Sequence, residues 1–485
     1  MFFIVLIPIA AALACVLSGS RRLAEYTTVA SSVAVSVVAL LIAAEAIDGT
    51  VIVAFGGSLR IDALSAYLVA IISLLSLAAA AYSVEYMRAD LSHGALDERK
   101  LRQYYTLFNI FVATMLMVPL ANNLALLWIA IEATTLVSAL LVGLYRKKES
   151  IEAAWKYIML CTVGITFALL GTFILYHAST GVMGEGKGVL EWSELHRMAR
   201  SMNPATVKLA FLLVMVGYGT KAGLAPVHNW LPDAHSEAPT PISALLSGIL
   251  LNCAFYGVMR FASVADKACG HEFILGVMTF FGLASIVVAS IFMLIQTNAK
   301  RLLAYSSIEH MGIIALSFGV GGAYGLYAAL LHILNHAMGK PLMFFITGRV
   351  KTAYHSVETD EVKGLLKVAP LTGALCFVGF LALAGAPPFS MFISEFLMFR
   401  GLADSGRWVV VAVFLTASGL VFYGLLRSFG GMSLGPKPEK TPDFQNSMGV
   451  SLVMVSLGAG LLFLGVHIPD SLDRLITLSV GALGG

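Results

Sequence analysis

The residues of this sequence best able to do chemistry are ionisable side chains inside long apolar stretches. They are Glu132, Lys221, His332, His336, Lys340 and Glu395, with Glu309 and His310 near one end of a further stretch. A charge at the centre of a bilayer costs about 2.5–3.5 kcal/mol even on the lower scales, so each such residue is a functional hypothesis. A structural ion pair explains any single one equally well. It explains the whole set poorly, and we interpret the set as an ion path.

Glu132 and Lys221 carry opposite charges. Burial favours the neutral form of both side chains, whereas proximity favours the two charged forms. Separating such a pair lets the lysine release a proton and the glutamate take one. The two residues are therefore a candidate proton switch, although the sequence does not show whether they touch.

His332, His336 and Lys340 are spaced four residues apart, with Pro341 next in the chain. On a helix this spacing places them on one face, with about 6 Å of rise per step. Two histidines so spaced can bind a metal, but no carboxylate or cysteine on that helix completes a tetrahedral set. We favour a proton path and predict no metal site, because imidazole titrates near neutral pH. Pro341 is expected to loosen the helix and admit water beside Lys340.

A second group of polar residues, His228, Asp233, His235 and Glu237, has metal-ligand residue types but is interrupted by prolines. We interpret this segment as an ordered turn between two spans. Uptake of protons at the surface is a second possible role for its histidines.

The composition decides the surroundings of these side chains. Of the 485 residues, 58% are apolar and only 12% charged, and the mean hydropathy is +0.86. Such a chain has too little polar surface for water, so its solvent must be lipid. A net charge of +3 without a basic tract excludes nucleic-acid binding. Five cysteines without a CxxC pair give no disulfide framework, zinc site or iron–sulfur cluster, and we expect no cofactor in this chain.

Fourteen apolar runs are long enough to cross a bilayer as helices, which need about 20 residues. We number them spans 1 to 14, at residues 1–18, 26–47, 61–84, 105–121, 123–145, 155–177, 206–231, 241–264, 273–297, 302–320, 323–347, 370–399, 408–426 and 448–466. The fold class predicted is an all-α integral membrane protein.

Spans 7 and 12 are predicted to be broken helices. Span 7 carries several glycines and Pro226 around Lys221, and span 12 carries Gly385, Pro387 and Pro388 before Glu395. The breaks lie five spans apart, an odd number, so spans 4–8 and 9–13 would be repeats of opposite orientation with the ion site at the breaks. The predicted segments are residues 1–103 (three helices), 104–265 (first repeat), 271–428 (second repeat) and 429–485 (last span and tail).

Orientation follows from the basic residues. Lys and Arg are about twice as frequent in the loops after spans 1, 3, 5, 9, 11 and 13 as in the other loops. The positive-inside rule places those loops inside and both termini outside. The loop 178–205, with four basic residues, breaks the trend.

The run from Gly219 to Pro241, GTKAGLAPVHNWLPDAHSEAPTP, resembles the signature of the antiporter-like membrane subunits of respiratory complex I, Mrp-type cation/proton antiporters and group 4 membrane-bound hydrogenases. The resemblance extends over nearly the whole chain. It implies fourteen spans, a bacterial or archaeal cytoplasmic membrane, and partner subunits that are both membrane-embedded and peripheral. It also implies roles: Glu132 as the fifth-helix glutamate, Lys221 as the broken-helix lysine, His332, His336 and Lys340 as the relay, and Glu395 as the terminal group.

One position departs from the pattern of the family. Many relatives carry a lysine where this chain has Asn252. Asparagine can hydrogen-bond water but cannot hold the proton, so the path from Lys221 to His332 would have to run through water. With the motifs Ser236 to Pro241 and Gly385 to Ser390, this departure makes the chain similar to the branch called hydrogenase-4 component F.

The resemblance implies a proton-translocating membrane subunit of a hydrogenase-4, formate hydrogenlyase or NADH dehydrogenase-like complex. Such a subunit is not itself the redox catalyst, and it moves protons, with Na⁺ as the other candidate ion. An Mrp-type antiporter subunit driven by ion gradients is the alternative. A scaffold that has lost conduction is a third possibility, for which Asn252 is the main argument.

Overall fold

The computed structural model describes residues 2–184, 186, 188–438, 442–444 and 447–484. Helices make up nearly all of this part of the chain, and the predicted all-α membrane fold is confirmed. The described strands are β1 (Ile52–Ala54) and β2 (Leu59–Ile61), a short antiparallel hairpin that pairs Ile52 with Ile61. This hairpin was not predicted, because each strand has only three residues.

Each of the fourteen predicted spans corresponds to helix. Spans 1 to 6 are Phe3–Leu17, Arg21–Ile47, Ala63–Ser92, Glu98–Leu120, Leu124–Val142 and Lys148–Met183. Spans 7 to 11 are Pro204–Ala222 with Trp230–Glu237, Thr240–Cys269, His271–Met293, Ala299–Val320 and Gly322–Tyr354. Spans 12 to 14 are Pro370–Leu383 with Ser390–Asp404, Trp408–Leu434 and Met448–Val466.

Among the described residues, eleven of these helices are long and apolar enough to cross a membrane by themselves. The other three predicted spans each differ for a visible reason. Span 1 has only 15 residues, and span 12 is split into pieces of 14 and 15 residues. Span 11 is 33 residues long but carries the histidines and lysine singled out above, which lower its hydropathy.

Close packing of the spans depends on glycine at particular contacts. A Cβ on Gly217 of span 7 would lie 2.5 Å from the backbone nitrogen of Ala168 in span 6. A Cβ on Gly312 of span 10 would lie 2.7 Å from the carbonyl oxygen of Gly282 in span 9. In lipid, where no hydrophobic force drives helices together, such close backbone approach provides much of the association energy.

The same irregular features occur in both halves of the bundle. Spans 7 and 12 are interrupted as predicted, and each interruption contains a cis X–Pro bond, at Ala225–Pro226 and Pro387–Pro388. The helix that follows each break contains a π-helical turn, at Leu246–Leu250 in span 8 and Leu426–Gly430 in span 13. This repetition is what two related five-helix units require. The boundaries of the repeats stay a prediction.

Besides a few single turns, two further helices among the described residues were not predicted. The short helix Trp192–Met198 lies in the loop between spans 6 and 7, and the terminal helix Asp470–Leu483 follows span 14. The terminal helix buries Leu475, Ile476, Val480 and Leu483 on one face. At 14 residues it is too short to span a bilayer, which is why a search for long apolar runs passed over it.

The N-terminus, the hairpin and the terminal helix all lie at the same edge of the helix bundle. The ring of Phe2 contacts Phe55 of the hairpin, and residues 478–482 of the terminal helix line a cavity with the hairpin end and span 3. We call this edge the terminal rim. The opposite rim is the edge where span 1 ends and span 4 begins.

A buried ion pair joins the N-terminal helices to span 8 at the terminal rim. Asp62, which caps span 3, accepts a hydrogen bond of 2.7 Å from the guanidinium of Arg260. The side chains of both residues are at most 5% exposed. The guanidinium also stacks 4.0 Å over the ring of Trp192, whose Nε1 donates to the backbone carbonyl of Arg260. This contact holds the short loop helix against the bundle.

Asp62→Asn is expected to lower the free energy of unfolding by about 3–5 kcal/mol, because it leaves the Arg260 charge buried and unpaired. Thermal unfolding can be followed with a thiol-reactive dye, since Cys15, Cys161, Cys253 and Cys376 are buried. The control is Glu194→Gln, which removes an exposed ion pair with Arg197 at the same rim and should cost at most about 1 kcal/mol. Equal losses for the two variants would contradict the special role of the buried pair.

Candidate ion-translocation site

Lys221 is placed by the break in span 7. The first half of the span ends at Ala222, and Gly223 follows in a left-handed conformation with φ of 77°. Lys221 thus lies in the last turn of a helix, where the negative end of the helix dipole favours a cation. The backbone N–H of Ala225 donates to Ser285 of span 9, so one freed backbone group of the break is satisfied by a neighbouring helix.

The ammonium group of Lys221 is held by hydroxyl groups and an aromatic face. Lys221 is fully buried, and its Nζ donates to Thr135 Oγ1 at 2.9 Å and to the Tyr157 hydroxyl. The same ammonium lies 4.5 Å from the centre of the Tyr157 ring and 5.9 Å from that of Trp230. The Tyr157 hydroxyl is also hydrogen-bonded to Ser138 at 2.7 Å. These contacts stabilise the charged lysine without a buried carboxylate at its side.

Glu132 is linked to Lys221 through a single hydroxyl. Thr135 Oγ1 donates to Glu132 Oε2 at 3.2 Å while it accepts from Lys221. Thr162 donates to the other carboxylate oxygen at 3.1 Å. In the described part of the chain no direct ion pair joins Glu132 and Lys221. The predicted pair is therefore an indirect one, with Thr135 as the bridge.

Glu132 is less buried than its place within an apolar span predicts. Its side chain is half-buried, on a face of spans 5 and 6 where Ile129 and Val163 are 56% and 57% exposed. The sequence showed Glu132 to be within an apolar span, but not which way the helix turns it. The carboxylate lies at the edge of this single chain.

Asn252 lies two residues after the π-helical turn of span 8. It is fully buried, and its Nδ2 donates to the Gly248 carbonyl at 2.8 Å. Its Oδ1 has no hydrogen-bond partner among the described residues, which leaves an acceptor for water. π-Helical turns in α-helices frequently mark functional sites.

A chain of polar atoms leads from span 8 towards Lys340. Ser247 and Ser307 are hydrogen-bonded through their hydroxyls at 2.7 Å. Ser307 donates to the Leu303 carbonyl, and Lys340 Nζ approaches the same oxygen at 3.4 Å. These contacts connect span 8, span 10 and span 11 close to the middle of the bundle. The helix continues through Pro341 instead of breaking there, so the expected loosening is not seen in its backbone.

The histidines form one cluster with His310 at its centre. His310 Nδ1 and His332 Nε2 are 2.9 Å apart, and the His310 ring lies 5.5 Å from that of His336. His310 and Glu309 were expected near an end of span 10, but they lie in the middle of Ala299–Val320 and both are buried. The prediction for their position was wrong, because they are the eleventh and twelfth of the 22 residues of this helix.

Glu395 lies beside the break in span 12. Gly385 has φ of 64°, and a Cβ there would fall 2.3 Å from a carboxylate oxygen of Glu395, so the carboxylate rests directly on the interrupted backbone. Ser394, the preceding residue, is hydrogen-bonded to His332 Nδ1 at 2.9 Å. The second break thereby connects to the histidine cluster.

Three potential metal ligands lie close together in the structure. Ligand atoms of His310, His332 and Glu395 all lie within 4.8 Å of one another. The prediction of no metal site was based on the ligands of span 11 alone, whereas spans 10 and 12 supply two more. In the structure, however, one nitrogen of each of His310 and His332 is used in the hydrogen bond between the rings. That arrangement favours a shared proton, and the prediction of no metal site stays a prediction.

His228 and His235 were predicted on an ordered turn with access to the surface. His235 instead lies in the helix Trp230–Glu237, fully buried, with its ring stacked 5.4 Å from Phe344. His228 is 7% exposed. A surface position is wrong for both, because spans 6 and 10 pack against the second half of span 7 and Phe344 of span 11 covers the His235 ring. Asp233 of this helix does reach the opposite rim, where it pairs with Lys156 and Arg301.

Sequence reasoning missed the uncharged members of the site. They are Thr135, Ser138, Tyr157, Ser247, Ser307 and Ser394. Hydroxyl residues are common in membrane helices, so their types alone carry no signal. The spacing of Thr135, three residues after Glu132 and thus on the same helix face, was the one available hint.

The sequence of this chain matches a known family of membrane proteins. The profile of a family described as "NADH:quinone oxidoreductase/Mrp antiporter, TM" matches residues 121–421, which contain both broken spans and every residue of the site. The chain belongs to this family. The matched region covers well over half of the sequence, and the predicted resemblance is confirmed.

Individual members of the family resemble the chain over most of its length. A "Hydrogenase-4 component F homolog" of Methylacidiphilum infernorum is 39% identical over 344 residues, 71% of this chain and 72% of the relative. The "NADH-quinone oxidoreductase subunit N" of Desulforudis audaxviator is 29% identical over 87% of this chain and 84% of its own. A chain in the structure of an archaeal respiratory membrane complex, the membrane-bound sulfane sulfur reductase, superposes with a TM-score of 0.88 at 24% identity, over 99% of this chain and 96% of that one. The last comparison concerns the fold alone.

Thr135→Val is expected to slow proton movement by about tenfold or more, because it removes a hydrogen bond to a charged group on each side of the bridge. The measurement is proton uptake into proteoliposomes that contain the assembled complex. Thr135→Ser is the matched control, since it keeps the hydroxyl and should retain most of the rate. If the valine variant matches the serine variant, the hydroxyl bridge is not part of the path.

His310→Phe is expected to reduce proton movement about tenfold or more while the complex still assembles, because a ring of similar shape replaces the one that links His332 to His336. The control is His177→Phe, an exposed histidine on span 6 outside the cluster. Normal proton movement in the His310 variant would show that the path avoids this ring.

Proposed function

We propose that the chain is a proton-translocating membrane subunit of a multi-subunit oxidoreductase of the hydrogenase-4 or NADH dehydrogenase type. The observation that carries this proposal is the row of polar groups from Glu132 to Glu395, set inside otherwise apolar helices and touching both broken spans. Apolar helices retain such groups when they serve an ion path. The relatives described above, a hydrogenase-4 component F homolog and an NADH-quinone oxidoreductase subunit N, support the assignment to an oxidoreductase complex.

We propose that the proton path divides into two clusters of polar groups with Asn252 between them. In the first, Lys221 holds the proton, and movement of Glu132 changes how well the charge on Lys221 is stabilised through Thr135. A proton released by Lys221 passes to water held at the free Oδ1 of Asn252. Lys340 and the histidines receive it in the second cluster, and Glu395 is the last group within the chain to hold it.

The redox reaction belongs to partner subunits in this proposal. The chain's role is to hold and pass protons, and no redox cofactor is assigned to it. Electron transfer in the partners changes the electric field at Glu132 or Glu395, and this change drives the protonation of Lys221. The chain thus contributes to an oxidoreductase without being its catalyst.

The half-buried position of Glu132, at the edge of the chain, indicates where a partner attaches. Its carboxylate opens on a face where Leu136 and Leu140 of the same helix are 55% and 56% exposed, so in an isolated chain it would meet lipid. A carboxylate facing hydrocarbon is unfavourable by several kcal/mol. We propose that another membrane subunit covers this face of spans 5 and 6 and brings a polar or cationic group to Glu132.

The same proposal sets the location of the chain. The family and the apolar helices show that it is membrane-embedded. A bacterial or archaeal cytoplasmic membrane is proposed, with the terminal rim on the outer side. The excess of basic residues in the loops of the opposite rim supports that orientation.

Lys221→Met should reduce proton translocation in the assembled complex about tenfold or more, because methionine keeps the packing volume but cannot hold a proton. Glu132→Gln should act in the same direction with a smaller effect, since it changes the partner rather than the carrier. Both are measured in proteoliposomes as protons moved per electron transferred.

The control is Lys208→Met, which removes an exposed lysine from the other end of the same helix. An intact Lys221→Met complex that moves protons at the normal ratio would refute the assignment. Replacing Na⁺ by choline tests the alternative named in the family description, an Mrp-type cation/proton antiporter. Proton movement that stops without Na⁺ and needs no electron transfer would favour the antiporter.

A further inference from the structure

A cavity of about 540 Å³ lies at the opposite rim, away from the proton path. It is formed by the end of span 1, the first three turns of span 4 and the loop after span 5. Its wall contains four basic side chains, Arg99, Lys100, Arg102 and Arg146, against one acidic side chain, Asp97. A cavity of this size can hold a group as large as a lipid headgroup.

In the described part of the chain, no acidic side chain is paired with any of these four basic groups. None of their side chains makes a hydrogen bond or ion pair with any described residue. Asp97, which caps span 4 by accepting from the backbone N–H of Lys100, offsets at most one of the four positive charges. The cavity therefore presents an excess positive charge that attracts an anion.

The cavity of about 380 Å³ at the terminal rim differs in this respect. Its wall also contains basic side chains, Arg60 and His196, but Arg60 forms an ion pair of 3.7 Å with Asp62 in the same wall. Burial lowers the pKa of His196 to about 4, so that histidine is neutral at physiological pH. The uncompensated positive charge thus belongs to the opposite rim and is not a general property of the cavities in this chain.

The surroundings of the basic cavity identify the source of the anion. Val16 and Cys15 of span 1 form part of the wall, and Val16 is 60% exposed. Leu13 and Leu17, on the same helix, are 59% and 74% exposed. The positively charged wall therefore adjoins an apolar helix surface at the height where a bilayer changes from acyl chains to headgroups. An anion with apolar chains fits both parts, whereas a free phosphate fits only one.

We propose that this cavity binds the headgroup of an anionic phospholipid, with the phosphate among Arg99, Lys100, Arg102 and Arg146 and an acyl chain along span 1. Basic pockets at this level of a membrane protein are the usual recognition sites for anionic lipid headgroups. The bound lipid fills the groove between span 1 and span 4 and connects the N-terminal helices to the loop after span 5. This proposal does not depend on the proton path.

The test compares lipids on the purified complex by native mass spectrometry. Phosphatidylglycerol should be retained in preference to phosphatidylcholine. Arg102→Gln with Arg146→Gln should weaken that retention about 30-fold, which corresponds to two contacts of about 1 kcal/mol each. The matched control is Lys147→Gln with Lys148→Gln, which removes two charges from the same loop that do not line the cavity. Its retention of phosphatidylglycerol should stay within about threefold of the unmodified complex.

A second measurement keeps the test decisive if the double variant is unstable. Phosphatidylglycerol should raise the thermal midpoint of the unmodified complex and of the Lys147/Lys148 control, but not that of Arg99→Gln with Lys100→Gln. The proposal is overturned if the cavity and control variants lose phosphatidylglycerol equally. It is also overturned if sn-glycerol 3-phosphate binds as tightly as the lipid, which would show a site for a free anion, or if the assembled complex excludes the lipid because an acidic partner segment fills the cavity.

Discussion

A backbone inside a lipid bilayer has no water to satisfy its polar groups, and most features of this chain follow from that fact. Fourteen apolar segments become helices because a helix satisfies its own N–H and C=O groups. Any departure from helix must then be compensated by neighbours. The break in span 7 shows the compensation directly, since Ser285 of span 9 accepts from the freed N–H of Ala225. The interruptions are thus expensive features that the fold maintains at two places.

The two breaks give the chain positions for charge that an unbroken helix cannot offer. Lys221 lies at the C-terminal end of a half-helix and is surrounded by hydroxyls and aromatic rings. Glu395 lies on the backbone of Gly385, where a larger residue would exclude it. In the proposed path the groups between them include Asn252, which is buried and whose Oδ1 has no hydrogen-bond partner among the described residues.

Charge is distributed differently in the interior and at the rims. Inside, charged groups are few, and Lys221 is held by several neutral partners. At the terminal rim, Asp62 and Arg260 form a direct buried pair that fixes the packing. At the opposite rim, four cations face one cavity, and none of them forms an ion pair with a described residue. The interior arrangement suits proton movement, the buried pair suits stability, and the unpaired cations suit binding of an anion from outside the chain.

The sequence alone determined the membrane class, the fourteen spans, the two broken helices and the ionisable members of the site. These follow from local properties, namely runs of apolar residues, proline and glycine, and rare charges within the runs. Only the tertiary structure decided that Thr135 bridges Glu132 and Lys221, that His310 lies between His332 and His336, that His235 is buried, and that Glu132 faces outward. The rotation of each helix about its axis sets these contacts. That rotation results from close packing at residues such as Gly217 and Gly312, whose partners are distant in the sequence or lie on other helices.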